Sequence, residues 1–428
     1  MTAELEARRS TAPTAFVPAP TGLRAAVLGR GARILLRRAA RRSGVHLIRP
    51  GDPVPAGPVL TLIDPDAVAR RIGTARLIGF GESYVAGEWD SPDLAAALTA
   101  LAERMPALVP RWVQLLRPLA AVARPHTEVG TEDHVQDNIS HHYDLSNELF
   151  ARFLDETLTY SSALFCTTEL PDSEPGVTRA PQVAEPAYAV LADAQRAKID
   201  RLLDAAGVGP GSRVLEVGTG WGELCLRAAR RGATVRSVTL SVEQRDLARR
   251  RMAEAGLSDV VQIELRDYRD VRGRYDAVVS VEMIEAVGAA HWDEYFAVLA
   301  RVLAPGGRIA LQAITMPHDR MLATLHTYTW IQKYIFPGGM LPSTEAIAAA
   351  AGRAGLTVRA RHRFGAHYGQ TLRLWRERFR TEPQTLPPPA DSPEFRRLWE
   401  FYLAYSEAGF RSGYLDVQQI VLTEEAAR

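Results

Sequence analysis

A glycine-rich turn at residues 216–222 is the part of the sequence whose residue types best suit chemistry. It reads Glu-Val-Gly-Thr-Gly-Trp-Gly, follows a predicted strand at residues 213–217 and opens a predicted helix at residues 223–231. This strand–turn–helix context is typical of a nucleotide-type binding turn. Glycines let the backbone approach a ligand closely, and the Glu216 carboxylate can accept hydrogen bonds from ligand donors. We therefore predict a cofactor site at the end of this strand.

The same turn disfavours a nicotinamide dinucleotide as the cofactor. Its spacing is Gly-x-Gly-x-Gly and not the Gly-x-Gly-x-x-Gly dinucleotide fingerprint. A dinucleotide fold also needs an acidic residue about 20 residues further on, at the end of the second strand. That strand ends here in Val238-Thr239-Leu240-Ser241, which contains no acid.

Alternating helices and strands from about residue 188 onward must position the turn. The pattern predicts helices at residues 190–206, 223–231 and 242–255, and strands at residues 213–217, 234–239, 260–265, 275–280 and 307–313. Strands separated by helices of this length indicate parallel β-α-β units. We therefore expect one doubly wound α/β domain with a C-terminal extension.

Composition bounds the class of protein. The chain has 428 residues, 46% of them hydrophobic and 24% charged, which is typical of a globular protein. A net charge of +1 argues against nucleic acid as the main partner. Two cysteines, Cys166 and Cys225, exclude a disulfide framework and a multi-cysteine zinc site, and we predict no metal. The sequence lacks a long uncharged apolar stretch and a signal-peptide pattern, so we expect a cytoplasmic protein, soluble or peripherally bound to a membrane.

The N-terminal region carries an uneven charge. Residues 1–20 are rich in alanine, proline and threonine and are predicted to be disordered. Residues 24–49 contain eight arginines and no acidic residue, with Val27, Ile34 and Leu35 close to helical spacing. A basic amphipathic helix can lie on an anionic membrane. The alternative is a solvated surface helix that packs its leucines inward.

Several ordered strings resemble one family. The pattern Glu-x-Gly-x-Gly-x-Gly resembles motif I of class I S-adenosylmethionine-dependent methyltransferases, and Leu-Ala-Pro-Gly-Gly at residues 303–307 resembles their loop before the fifth strand. Longer strings resemble the cyclopropane-fatty-acyl-phospholipid synthase family over roughly residues 130–420. They lie at residues 142–147, 159–163, 239–244, 279–288, 333–339 and 364–368, and residues 80–84 resemble that family's N-terminal domain.

The resemblance implies a fold and a cofactor. The fold is α/β, a class I S-adenosylmethionine-dependent methyltransferase with a Rossmann-like doubly wound sheet and a smaller N-terminal lipid-binding domain. We expect a disordered N-terminus at 1–20, a docking domain at 21–125, a linker with acyl-pocket segments at 126–187, and the methyltransferase domain at 188–428. The residues implied to bind S-adenosyl-L-methionine are Tyr160, Ser161, Glu216, Gly218, Gly220, Gly222, Thr239, Gln244, Asp267 and Tyr268.

The resemblance also implies a reaction on a cis double bond in the acyl chain of a membrane phospholipid. The alkene attacks the sulfonium methyl and leaves a carbocation. Proton loss with ring closure gives a cyclopropane, whereas a hydride shift followed by proton loss gives an exocyclic methylene. The cation needs walls that exclude water and a base nearby. Aromatic residues in the segments that would form these walls are Tyr160, Tyr328, Trp330, Tyr334, Phe336 and Tyr368, and the tunnel is expected beside Tyr143 and Phe336.

The sequence departs from the family where the base should be held. Cyclopropane synthases are thought to use bicarbonate in a cage of a cysteine, a glutamate, a histidine, a backbone isoleucine and a tyrosine. The corresponding positions here are Ser162, Glu285, Gln312, Ile314 and Tyr368. Two cage groups are thus altered, although neutral serine and glutamine can still hydrogen-bond an anion.

We therefore expect a side-chain carboxylate to act as the base. The candidates are Glu148, which we rank first, together with Glu156, Glu282 and Glu285; Glu282 stands where the family usually has glycine. The altered cage resembles the branch that makes 10-methylene precursors of 10-methylstearate (tuberculostearate), which a separate flavin-dependent reductase would saturate. The alternative is a cyclopropane synthase that uses bicarbonate. A homodimer would double the membrane contacts.

Overall fold

The computed structural model describes residues 18–108, 147–325, 327–381 and 391–425. The predicted disorder at residues 1–17 and the predicted pocket residue Tyr143 lie outside these ranges. The chain divides into two compact units. Within the described residues, one unit comprises residues 18–108, 327–335, 376–381 and 391–412, and the other comprises the rest.

Fourteen helices occur in the described residues. In chain order they are α1 Leu23–Ser43, α2 Pro65–Val85, α3 Leu94–Leu108, α4 Asn147–Phe153, α5 Leu191–Ala205, α6 Glu223–Arg230, α7 Val242–Glu254, α8 Ile284–Val287, α9 Trp292–Val302, α10 His318–Thr324, α11 Trp330–Tyr334, α12 Thr344–Arg353, α13 Gly365–Thr381 and α14 Pro393–Arg411. No helix within these ranges combines the length and the apolar character needed to cross a membrane.

Strands form two sheets in the same ranges. In chain order they are β1 His46–Ile48, β2 Val59–Leu62, β3 Trp89–Asp90, β4 Leu170–Pro171, β5 Val177–Arg179, β6 Arg213–Val217, β7 Thr234–Thr239, β8 Val261–Leu265, β9 Tyr275–Val281, β10 Leu303–Thr315, β11 Leu356–Arg363 and β12 Asp416–Glu424. The first three form a small sheet, and the other nine form a large sheet in the order β4-β5-β11-β12-β10-β9-β6-β7-β8.

The large sheet confirms the predicted doubly wound α/β fold. Strands β10, β9, β6, β7 and β8 are parallel neighbours, and β12 pairs antiparallel with β10 and β11. Successive residues of β6 point to opposite faces: Val214 joins one buried cluster and Leu215 the other. Helices therefore cover both faces, as a parallel sheet requires. Strand β6 lies between β7 and β9, where the strand order reverses.

Sequence patterns placed most elements of this sheet closely. The predicted helices and strands between residues 190 and 280 end within one residue of the observed ones. Predictions in the N-terminal region were less accurate. The helix predicted at 24–49 ends at Ser43, because Gly44 adopts a left-handed conformation with φ 68° and its N–H binds the carbonyls of Ala40 and Arg41.

Helix α2 is much longer than the predicted segment 67–72. Asp64 starts it by accepting hydrogen bonds from the N–H groups of Asp66 and Ala67. The helix continues through Gly73, which allows close packing, and is kinked at Arg76, whose φ of 55° is not helical. A Cβ at Gly73 would lie 2.6 Å from the carbonyl carbon of Leu28 on α1.

The unit that contains the N-terminal elements differs from the predicted domain 21–125, since it also includes α11 and α14. The physical reason is a shared aromatic core. The Phe401 ring of α14 lies 4.8 Å from Trp330 of α11 and 5.4 Å from Tyr84 of α2, measured between ring centroids. The domain boundaries predicted from the sequence stay a prediction.

Candidate active site

A cleft opens at the carboxyl ends of β6, β7 and β9. It contains about 1310 Å³ of empty space, open solvent at its mouth included. Ligands of doubly wound sheets bind where the strand order reverses, and the cleft lies at that point. Its walls come from residues within 157–161, 198–199, 216–224, 238–244, 266–269 and 281–291.

The glycine turn forms the floor of the cleft. Gly218, Gly220 and Gly222 all have positive φ angles, at 95°, 51° and 89°. A Cβ at Gly218 would lie 2.6 Å from Met283 Cγ, whereas a Cβ at Gly220 would meet no described atom within 4 Å. Gly222 is not part of the cleft wall; its Cβ would lie 3.0 Å from that of Ala248, so this glycine lets α6 pack closely on α7.

Glu216 provides a buried carboxyl group beside this turn. Its Oε2 accepts hydrogen bonds from Cys225 Sγ at 2.7 Å and from Ser237 Oγ at 2.6 Å. Burial raises the pKa of Glu216 to about 7, against the effect of these two hydrogen bonds. Glu216 therefore presents a buried hydrogen-bonding group to the cleft.

Two further segments present polar groups to the cleft. Thr239 Oγ1 donates to Gln244 Oε1 at 3.0 Å at the start of α7. Asp267 accepts from the backbone N–H and the guanidinium of Arg269. Burial raises the pKa of Asp267, but these hydrogen bonds outweigh it and hold the pKa below its usual value. The Tyr268 ring lies 5.5 Å from that of Tyr295.

Lys198 is a buried cation at the cleft wall that the sequence reasoning missed. Its fully buried ammonium group donates to Ser161 Oγ at 2.6 Å, and Gln195 Nε2 donates to the Ser161 carbonyl at 2.8 Å. Burial lowers the pKa of Lys198 to about 8, although Glu282 and other carboxylates oppose the shift. The signal was present: Gln195 and Lys198 share the apolar face of α5 with Leu202, where polar residues are unexpected.

Glu282 lies in a cage of hydrogen-bond donors at the end of β9. Its Oε1 accepts from the Ser162 N–H at 3.1 Å and from Gln312 Nε2 at 2.8 Å, and its Oε2 accepts from the Tyr368 hydroxyl at 2.7 Å. Gln419 Nε2 donates to Gln312 Oε1 at 3.3 Å, which orients the Gln312 amide with its NH₂ toward Glu282. Burial raises the pKa of Glu282. Three donors thus hold one carboxylate at the cleft wall.

Glu285 lies one helical turn further along. Its Oε1 accepts from the Ile314 N–H at 2.6 Å, and its buried Oε2 has no hydrogen-bond partner among the described residues. Burial and the neighbouring Glu282 raise the pKa of Glu285 to about 8. Glu285 therefore favours its protonated form at neutral pH.

The other two candidate bases lie elsewhere. Glu148, ranked first from the sequence, is exposed on α4 and does not line the cleft. Glu156 is exposed and pairs with Arg196. An exposed carboxylate is solvated, so neither group has the buried environment that strengthens a base. The geometry therefore favours Glu282 over Glu148.

Aromatic rings form a continuous row from the glycine turn to the Glu282 cage. Successive ring centroids are 5.0 Å apart for Trp221 and Phe150, 5.1 Å for Phe150 and Tyr160, 5.3 Å for Tyr160 and Trp375, and 6.2 Å for Trp375 and Tyr368. These distances are those of contacting rings. The electron-rich faces of such rings can stabilise a cation. Trp330 and Tyr334, expected in the same wall, belong to the other unit.

Comparisons with known proteins agree with this geometry. The family described as mycolic acid cyclopropane synthetase matches residues 131–420. The chain is 55% identical to the tuberculostearic acid methyltransferase UfaA1 of Mycobacterium tuberculosis over 417 residues, which are 96% of this chain and 95% of that protein. The chain belongs to the cyclopropane synthase family.

Two other members of the family are more distant relatives. The cyclopropane-fatty-acyl-phospholipid synthase of Escherichia coli K12 is 36% identical over 285 residues, 66% of each chain. The crystal structure of the mycolic acid cyclopropane synthase CmaA1 with SAH and CTAB superposes with a TM-score of 0.58 at 29% identity. It covers 70% of this chain and 98% of that one. As a member of this family, the protein is an S-adenosylmethionine-dependent methyltransferase.

The cleft fits S-adenosylmethionine, which supplies an electrophilic methyl group when bound. The open space at Gly220 admits a ligand close to the backbone, and the acidic groups of Glu216 and Asp267 can accept hydrogen bonds from its amine and hydroxyl groups. Nine of the ten predicted cofactor residues line this cleft, Gly222 being the exception. Their individual contacts with the cofactor stay a prediction.

The structure also gathers four of the five predicted catalytic residues. Ser162, Gln312 and Tyr368 hold Glu282, and Glu285 interacts with its charge. Ser162 contributes its backbone N–H, while its hydroxyl donates to the Ala163 carbonyl. Glu148 is absent from this group.

Proposed function

We propose that this enzyme adds a methyl-derived carbon to the cis double bond of an unsaturated phospholipid acyl chain, such as an oleoyl chain. The product would be a 10-methylene intermediate of 10-methylstearate synthesis. The observation that carries this proposal is the row of aromatic rings between the cofactor turn and the Glu282 cage. An alkene is a weak nucleophile that becomes a cation. Tyr160 and Trp221 line the cleft, and the buried rings of Phe150 and Trp375 pack against them, so this wall is apolar and can stabilise a cation.

The relatives support the choice of substrate and product. The most extensive match described above is named for tuberculostearic acid, and the Escherichia coli relative is named for fatty-acyl phospholipid. A cyclopropane product formed with bicarbonate as base is the alternative. Ser162 and Gln312 favour the methylene branch, because cyclopropane synthases have a cysteine and a histidine at these two positions of the bicarbonate cage.

Proton NMR of the lipid product tests the function. The purified enzyme is incubated with S-adenosylmethionine and vesicles of dioleoyl phosphatidylglycerol, and the lipid is extracted. We expect vinylic methylene signals. Upfield ring-proton signals would instead establish the cyclopropane alternative, and unmodified oleate would reject methyl transfer to phospholipid acyl chains. Mass alone cannot decide, since both products add one CH₂.

We further propose that α1 docks the enzyme on the cytoplasmic face of an anionic membrane. The buried face of α1 consists of small residues, Ala25, Gly29, Ala32 and Ala40. Its large apolar side chains are exposed, including Ile34 at 68% and Leu35 at 66%. The exposed residues that alternate with them are Arg24, Arg30, Arg37, Arg38, Arg41 and Arg42. Exposed apolar side chains between arginines suit a headgroup surface of negative charge.

Replacing the two most central apolar residues of this surface tests the docking. We expect the double variant Ile34→Ser, Leu35→Ser to bind phosphatidylglycerol vesicles at least about tenfold more weakly, since full burial of one such side chain contributes about 1.5–3 kcal/mol. Vesicle co-sedimentation measures the change. The variant Val190→Ser alters an exposed apolar residue of the other unit and serves as the control. Equal binding by the double variant would reject α1 as the docking surface.

Two further partners complete the proposal. A 10-methylene lipid must be reduced to become a 10-methyl lipid, so we propose a separate flavin-dependent reductase as the next enzyme. A homodimer would place two α1 helices on one membrane and strengthen binding through a high effective concentration.

A further inference from the structure

We propose that Glu282 is the general base of the reaction, a built-in carboxylate that makes a bound anion unnecessary. This inference rests on the proposed function and deepens it by naming the group that receives the proton. The base ranked first from the sequence, Glu148, is replaced by a residue that the fold places at the cleft wall.

The first argument is geometric. Glu282 lines the same cleft as the glycine turn, and three donors converge on its carboxylate from three separate segments. The segments are the loop before Ala163, strand β10 and helix α13. Such convergence fixes a carboxylate in one position, which a proton acceptor needs in order to act in the transition state.

The second argument is the backbone conformation at this position. Glu282 has φ 51°, one of three non-glycine residues with positive φ among those described. A non-glycine residue in the left-handed region is strained, because its Cβ lies too close to the following carbonyl oxygen. Strain of this kind persists where the surroundings impose it and is concentrated at functional sites. A glycine would fit this backbone without strain, so the glutamate is retained at a cost in stability.

The third argument concerns charge. Glu285 beside it favours its protonated form at neutral pH, which spares Glu282 a second negative charge nearby. Lys198 is the buried cation that interacts with Glu282, and it also interacts with Asp155, Glu216 and Glu223. Burial makes the Glu282 carboxylate a stronger proton acceptor than a solvated one. The site therefore contains a carboxyl group whose basicity is raised by burial and which interacts with a buried cation.

The proposed step balances in atoms and electrons. The π electrons of the alkene form the new C–C bond to the methyl carbon, and the C–S bond breaks with its electron pair on sulfur. A hydride shift moves the positive charge to the carbon that bears the new methyl group. Glu282 then removes one proton from that methyl group, and the C–H electrons form the exocyclic double bond. Glu282 later returns the proton to solvent, so no oxidant or reductant is required.

Two replacements of Glu282 separate its chemistry from its structural role. Glu282→Gln keeps the size of the side chain but cannot accept the proton, and we expect the rate of methyl transfer to fall by about 10²–10⁴-fold, the usual contribution of a general base. S-adenosylmethionine affinity, measured by calorimetry, should stay within about threefold of the parent value, because the amide oxygen can accept from Ser162 and Gln312 while the amide NH₂ donates to the Tyr368 hydroxyl.

Glu282→Gly removes the carboxylate and suits the positive φ angle. The donors on Ser162, Gln312 and Tyr368 then face a space of carboxylate size, which formate or bicarbonate can enter. We expect this variant to be inactive in anion-free buffer and to regain at least about tenfold in rate with added formate or bicarbonate, within the range that general-base catalysis contributes. The parent enzyme should be insensitive to either anion.

The controls distinguish this inference from the proposed function. Glu254→Gln alters an exposed carboxylate on α7 and should keep the parent rate. If the parent enzyme makes no methylated lipid, the proposed function fails. If the parent is active and Glu282→Gln keeps its rate within about threefold, Glu282 is not the base, because general-base loss costs far more. The proposal would also be overturned if the Glu282→Gly variant were equally active with and without added formate or bicarbonate.

Discussion

The Gly220→Leu variant is expected to lose S-adenosylmethionine binding by at least about 100-fold while keeping its fold. Gly220 lines the cleft, and a Cβ there would meet no described atom within 4 Å. A leucine side chain would therefore occupy the cofactor's space and not the protein core. Overpacking a filled site costs about 1–3 kcal/mol or more, and about 1.4 kcal/mol is a factor of ten in affinity. Isothermal titration calorimetry measures the loss.

A second glycine variant controls for backbone strain. Gly256 also has a positive φ angle, 69°, with open space around it, but it lies in an exposed turn after α7. Gly256→Leu should lose similar stability, about 1–2 kcal/mol, and should bind the cofactor normally. If Gly220→Leu bound S-adenosylmethionine with parental affinity, the cofactor could not lie against this turn.

The Glu285→Gln variant is expected to become more stable than the parent as the pH rises. The pKa of Glu285 is about 8 in the folded protein, raised first by burial and then by Glu282, from a value of 4.5. Between these two pH values the unfolded chain releases its proton and the folded protein keeps it. The protonated Glu285 therefore makes its full contribution to the free energy of unfolding of the parent below pH 4.5. This contribution is lost progressively as the pH rises to about 8.

Glutamine has no such proton to lose and can still accept the hydrogen bond from the Ile314 N–H. Since one pKa unit corresponds to about 1.4 kcal/mol, we expect the free energy of unfolding to shift in favour of the variant by roughly 4 kcal/mol between pH 5 and pH 9. Denaturant unfolding of both proteins at several pH values gives this difference directly. Parallel pH profiles would show that Glu285 ionises normally in the folded protein.

Local patterns were sufficient for the cofactor half of the site. The turn at Gly218 and Gly220, the acid at Glu216 and the flanking elements are contiguous in the chain, and their spacing depends on one strand–turn–helix unit. Such units follow from hydrophobic periodicity and glycine placement. The strand ends at Thr239 and Asp267 were also predictable, because parallel strands bring their carboxyl ends to one edge of the sheet.

The base could not be chosen in the same way. Glu148, Glu282 and Glu285 all lie in or near the strings that resemble the family, and only Glu282 departs there from the usual glycine. The sequence does not show which of these carboxylates is buried among donors. The donors around Glu282 come from positions as far apart as Ser162 and Tyr368. Their convergence exists only after folding. The sequence analysis also did not predict that Lys198 is buried, although its position on the apolar face of α5 indicated this.

By itself, the sequence determined the α/β class, the cofactor turn, the family resemblance and the basic character of residues 24–49, because each of these is written in local composition, spacing or order along the chain. Only the tertiary structure decided which carboxylate is caged, which one holds a proton and which side chains of α1 remain exposed. These properties depend on burial and on contacts between distant segments. Burial alone changes the free energy of a charge by several kcal/mol, and no local pattern encodes it.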